Sequence, residues 1–301
     1  MRCTPVLLLL LLPAVLLAGC LENTGERSPE QQPKVIRAEG PTCTVGGSRC
    51  AGQDLTKYDG PAIITAALHN QGDQPATVEL GDGGSQVMTA SCNEELVSPT
   101  FDAVVTGPSG RREVPDSASS VNLSSDETLE LEWVLEIVPS DDANVSTLGY
   151  SCPMSFEFRF SQDITTSRQI QIKSAESVPD VSVASDTSSK SPVKLTIEAP
   201  ETIVANPART VVAEGYIENV GRGEVTEVSR LTAREITCRN PNTEILMFSQ
   251  GPRSGQSYRR ICTLDVSIDS GSEIQDLVYE TTYSYRMPLG DVGLTLVPVG
   301  N

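Results

Sequence analysis

Lysine is scarce in this 301-residue chain: five of its 22 basic residues (Lys34, Lys57, Lys173, Lys190, Lys194), against 40 Asp and Glu, for a formal charge of −18. Such a chain lacks the basic patch with which nucleic-acid binders displace counterions, and its surface repels anionic lipid. His69 is the sole histidine. It leaves a hydrolase one candidate base, and Ser109 and Ser254 lack the G-x-S-x-G frame of a strained nucleophile turn. Its place beside Asn70 reads as an exposed turn residue. No CxxC pair occurs, so zinc would need cysteines scattered along the chain. Carboxylates are everywhere and no pair stands out. These absences argue against an enzyme, a metal centre and a cofactor. Amphipathic helical periodicity is missing too, and long apolar runs are absent after the N-terminus.

The exception is Pro5 to Cys20, PVLLLLLLPAVLLAGC, preceded by Arg2 alone as positive charge. The run is short for a membrane span, which needs about 20 residues. A basic start, an apolar middle and a small-residue exit form the export-processing pattern. Leu17-Ala18-Gly19-Cys20 resembles a lipobox, which implies a signal peptide over 1–19 and a thioether-linked lipid, with acyl chains of the palmitate type, on Cys20. That places the chain on the extracellular face of the membrane. A retained helix over Pro5 to Leu21, or secretion without lipid, are the alternatives. Many carboxylates with few lysines resemble the proteome habit of salt-loving archaea, where salt screens self-repulsion; another acidic outer-surface protein is the alternative source.

Six further cysteines, Cys43, Cys50, Cys92, Cys152, Cys238 and Cys262, read as disulfides in an exported chain. The glycine-containing turn between Cys43 and Cys50 lets those two meet. Cys238 and Cys262 are alone in the second half, which leaves Cys92 for Cys152. Cys50 pairing instead with Cys92 or Cys152 is the open alternative. Residues 20–40 are polar and interrupted by Pro29 and Pro33, a tether rather than a core.

Residues 41–173 carry short strands at even spacing. The clearest is Thr128 to Val138, with Leu129, Leu131, Trp133, Leu135 and Ile137 alternating with polar neighbours. Phe156, Phe158 and Phe160 alternate likewise and read as core, with an exposed binding stripe as the alternative. Residues 174–192 are serine-rich and mark a linker. Residues 193–301 repeat the plan: Asn219-Val220-Gly221 echoes Asn70-Gln71-Gly72, and Tyr283, Tyr285 and Met287 take the places of Phe156, Phe158 and Phe160. The expected fold is all-β, two tandem β-sandwich domains, 41–173 and 193–301.

The run IENVGRGEV resembles the strand–Asn-x-Gly–strand hallmark of adhesion-related immunoglobulin-like modules of microbial surface proteins. The resemblance covers Val193 to Val225 and, more weakly, Pro61 to Val78. It implies spacing, adhesion and protein contact. The function expected is a non-catalytic surface lipoprotein with a structural, adhesive or protein-binding role, held by membrane lipid at Cys20 and contacting a surface protein or envelope polymer. An accessory lipoprotein assisting assembly of an envelope complex, filament or transporter is the alternative. Asp141, Asp142 and Asn144 read as a polar turn, with a calcium site as the alternative. Asn122-Leu123-Ser124 and Asn144-Val145-Ser146 are glycosylation sequons.

Overall fold

The computed structural model describes residues 35–50, 54–55, 59–91, 97–137, 150–176, 186–205, 207–234, 237–238 and 257–297. The chain begins with β1 (Ile36–Val45), β2 (Ser48–Arg49), β3 (Asp54–Leu55), β4 (Ala62–Asn70) and β5 (Ala76–Glu79). There follow β6 (Met88–Ala90), β7 (Val97–Gly107), β8 (Gly110–Val114), β9 (Ser120–Leu123), β10 (Glu127–Ile137) and β11 (Tyr150–Lys173). The second half contributes β12 (Asp186–Ser188), β13 (Val193–Glu198), β14 (Thr202–Val204) and β15 (Arg209–Asn219). It closes with β16 (Glu224–Arg234), β17 (Thr237–Cys238), β18 (Ser257–Val266) and β19 (Ser272–Leu296).

These strands make three sheets. A first outer sheet runs β2-β1-β4-β10-β7-β8 and a second β13-β15-β18-β17. The third, the central sheet, runs β16-β19-β11-β5-β9, with β6, β12 and β14 on β11 and β3 on β19. The two halves of the chain meet in that sheet, where β11 and β19 pair antiparallel along their whole lengths. At about 3.3 Å per residue, the 24 residues of β11 span about 80 Å. Each long strand therefore passes beneath both outer sheets.

Period-two alternation decides which way these strands face. Phe156, Phe158, Phe160, Ile164, Ile170 and Ile172 of β11 are buried, and so are Leu277, Tyr279, Tyr283, Tyr285 and Leu294 of β19. Phe160 opposes Tyr285, so the two sets share one face. Trp133 of the first outer sheet meets Phe156 edge-on at 5.5 Å. Gly215 of the second lies against Tyr279. Both outer sheets thus cover the same face of the central sheet, and its other face stays open. Full burial of aromatic and aliphatic side chains, at about 1.5–3 kcal/mol each, is what holds the layers together. The aromatic runs pack in the core.

On the open face Arg159 stands opposite Arg286. Like charges in such a pair repel. Glu157 lies between them, accepting from Arg159 Nε at 2.6 Å and standing 3.9 Å from Arg286, which also donates to Glu224 at 2.7 Å.

Asn70 and Asn219 fix the register of both halves. Each is fully buried. Asn70 Nδ2 donates to the carbonyl of Gln74 at 2.9 Å, and its Oδ1 accepts from Gly72 N–H at 3.1 Å. Asn219 does the same with Gly223 and Gly221, both at 3.0 Å. A Cβ on Gly223 would lie 2.2 Å from the Arg286 carbonyl oxygen, so glycine is required there. Six residues beyond each asparagine, Ala76 pairs with Gln162 and Val225 with Tyr285. Tyr285 therefore stands where Gln162 stands, and Tyr283 where Phe160 stands. The equivalence drawn from aromatic spacing is corrected by these pairings, because the buried turn sets the register and the aromatic positions follow from it.

The interval between equivalent positions is then 123 residues (285 − 162). Ser161 and Ser284 are equivalent by that interval, and they face each other. A pseudo-twofold axis passes between them. Two short parallel strands are exchanged about it: β3 of the first half pairs with the end of β19, and β14 of the second half with the end of β11. Leu289 is an extra residue in β19, since the register passes from Phe156↔Gly290 to Glu157↔Pro288. That brings Leu296, the partner of Leu55, into the position of Ile172, the partner of Ile203. The two halves of the chain interlock through these exchanged strands. The described part of 174–192 is built in as well: Ser191 Oγ meets Tyr283 Oη at 3.1 Å, and Lys190 N–H donates to Asp73 at 2.9 Å.

Candidate interaction surface

A concavity of about 930 Å³ lies on the solvent side of the first outer sheet. In β10 the residues that turn inward are Leu129, Leu131 and Trp133, so Glu130 and Glu132 turn outward. Asp102 comes from β7, Glu113 from β8, Glu39 from β1 and Asp116 from the loop after β8. A bulge between Glu39 and Thr42 bends β1. Gly40, at φ 95°, accommodates it, since a Cβ there would lie 2.8 Å from the Thr65 carbonyl. Arg111 and His69 are the basic groups among the lining residues. Six carboxylates around one concave face attract cationic groups, within a Debye length of about 8 Å at physiological salt.

His69 is not in a turn. It is the penultimate residue of β4, its Nδ1 is 2.8 Å from Thr128 Oγ1 and its Nε2 is 3.5 Å from Glu39. The strand runs one residue past it because Asn70, not His69, carries the turn. Ser109 Oγ donates to Glu127 at 3.3 Å and serves that carboxylate. Ser254 and Asp141 to Asn144 lie outside the described residues, as does Cys20.

Cys43 and Cys50 form a disulfide across the β1–β2 hairpin, with Cα atoms 5.3 Å apart. Cys152 and Cys262 each take part in a disulfide as well. Cys238 lies directly opposite Cys262 in the β17–β18 register. Cys92 lies outside the described residues. Asn122 is exposed on β9, and Asn144 is not among the described residues.

Nothing in the composition or the strand pattern singles out Glu127. Its side chain is 8% exposed and is held by Arg112 at 3.4 Å, by the Ser124 N–H at 2.7 Å and by Ser109. Burial pushes its pKa up, but the Ser124 N–H, the Arg112 guanidinium and Ser109 outweigh this and hold it below the ordinary carboxylate value. The signal in the sequence was Ser124-Ser-Asp-Glu127, in which a glutamate three residues on reaches back to a backbone N–H, as in a capping box. Tyr285 is pushed up to about 12 by burial, against the opposing effects of its bonds with Gly223 N–H and Asn219.

Among the described residues no group of three or more His, Cys, Asp or Glu is placed to hold a metal ion, and no helix is long and apolar enough to cross a membrane. No family model and no curated protein matches the chain. Among solved structures it is similar to the CupB6 tip adhesin from Pseudomonas aeruginosa, at 9% identity over 89% of this chain and 96% of that one, with a TM-score of 0.20. It is also similar to procruciferin, an 11S globulin from Brassica napus, at 8% identity over 88% of each chain, with a TM-score of 0.09. Neither superposition amounts to a common chain path.

Proposed function

We propose that this chain is a non-catalytic surface lipoprotein with an adhesive or protein-binding role, tethered through residues 20–40 to a lipid on Cys20. Its body is the interlocked pair of immunoglobulin-like repeats, closed by disulfides 43–50, 92–152 and 238–262. The observation that carries the binding role is the concave carboxylate-lined face of the first outer sheet. Its chemistry suits a basic segment of a surface protein or a cationic stretch of envelope polymer. The Leu17-Ala18-Gly19-Cys20 ending supports the anchor.

Two measurements test this reading. Intact mass of the protein from native membranes is expected to show an N-terminus at Cys20 with added lipid, and Cys20→Ser to release the protein from the membrane. Co-purification is expected to recover a partner that is lost on Glu130→Lys/Glu132→Lys. A partner retained by that variant would remove the carboxylate face from the reading, and a stoichiometric envelope complex would favour the assembly role.

A further inference from the structure

Asn122-Leu123-Ser124 falls where β9 ends, at the outermost position of the central sheet. Val121 and Leu123 point inward and are buried, so Asn122 between them points outward and is exposed. Thr77 Oγ1 on the neighbouring strand β5 donates to Asn122 Oδ1 at 2.8 Å. The amide oxygen is thereby turned toward the sheet interior. Oxygen and nitrogen diverge from the same carboxamide carbon, so Nδ2 is turned away from β5. Ser124 to Asp126 form an exposed turn, with Asp126 at φ 62°. Ser124 is fixed there by its backbone N–H on Glu127. The sequon thus straddles a strand end and an exposed turn at a sheet edge, where an enzyme reaches it without opening the core.

We propose that Asn122 carries an N-linked glycan. Asn122 Nδ2 bonds to the anomeric carbon of a sugar delivered by a lipid-phosphate-linked donor. The bond from that carbon to the donor's phosphate oxygen breaks, the lipid phosphate departs with the electron pair, and one amide proton leaves to solvent. The sugar then stands beside the open face of the central sheet. One row of that face reads Asn122, Thr77, Ser161, Ser284 across four strands. It is a hydroxyl-bearing row against which a carbohydrate lies without burying apolar surface.

The proposal rests on the export reading, because the donor and its transferase act on exported chains. One digest separates the two claims. Protein from the membranes of the cells that make it is mapped for the Cys20 and Asn122 peptides together. The expected result is lipid on Cys20 and a glycan mass on the Asn122 peptide. That mass is expected to be lost in Asn122→Gln and in Ser124→Ala, and kept in Ser124→Thr, with unchanged circular dichroism in all three. An unmodified Asn122 peptide beside a lipidated Cys20 overturns the glycan and leaves export standing. A glycan that persists in Ser124→Ala also overturns it. An unlipidated, uncleaved N-terminus with bare Asn122 overturns both.

Discussion

At the residue scale two buried polar groups do most to specify the fold. Asn70 makes three hydrogen bonds from a fully buried site, to Gln74 O, Leu123 O and Gly72 N–H. An alanine leaves these backbone groups unpaired, so Asn70→Ala is expected to cost about 2–3 kcal/mol. Asn219→Ala is expected to cost a similar amount, read as a lowered urea midpoint at unchanged slope. Glu127 gives a pH signature. Its folded pKa is depressed, so its stabilisation is present above the unfolded value of about 4.3 and is lost as pH falls through the folded value. Glu127→Gln is therefore expected to be less stable than wild type at pH 7 and to approach it in acid. A gap between the two urea midpoints that stays constant from pH 7 to 3 would contradict that assignment.

At the scale of elements, the exchanged strands tie each half of the chain to the other. Leu55 and Ile203 are both buried, and each pairs with the last residues of the long strand supplied by the opposite half of the chain. Main-chain bonds reinforce this: Val297 N–H donates to Leu55 O at 2.8 Å, and Ala205 N–H to Lys173 O at 3.0 Å. Truncating either residue to alanine leaves a cavity at a junction between repeats. Each substitution is expected to cost about 2–5 kcal/mol, and the two costs are expected to be alike because the sites are related by the pseudo-axis. A large loss at one and none at the other, in chemical denaturation, would show that the exchange is unequal.

For the whole molecule the shared sheet predicts one cooperative unfolding event. Trp133 reports on the first outer sheet, being fully buried between Phe101 and Phe156. Ile197 lies in β13 of the second outer sheet. In Ile197→Ala, Trp133 fluorescence and far-ultraviolet circular dichroism are expected to shift to the same lower midpoint. Two separated transitions, with the Trp133 midpoint unmoved, would mean that the repeats unfold independently.

Period-two alternation made β10 and β11 legible from the sequence, since Leu129 to Ile137 and Phe156 to Phe160 have no other amphipathic reading. The Asn-x-Gly turns were legible too, because few residue pairs suit a tight turn in which a side chain replaces a backbone acceptor. So was the repeat. What the chain order concealed was which strand pairs with which. Tyr283 and Tyr285 look like the counterparts of Phe156 and Phe158 by aromatic spacing, yet pairing with β16 makes them the equivalents of Phe160 and Gln162. Serine-rich 174–192 reads as a spacer, but Ser191 is bonded to Tyr283 across 92 residues. Alternation determines which face of a strand is buried, and it is a local property. Pairing β11 with β19, exchanging β3 for β14, and leaving one face of the central sheet open depend on contacts between residues far apart in the chain, which only the tertiary structure decides.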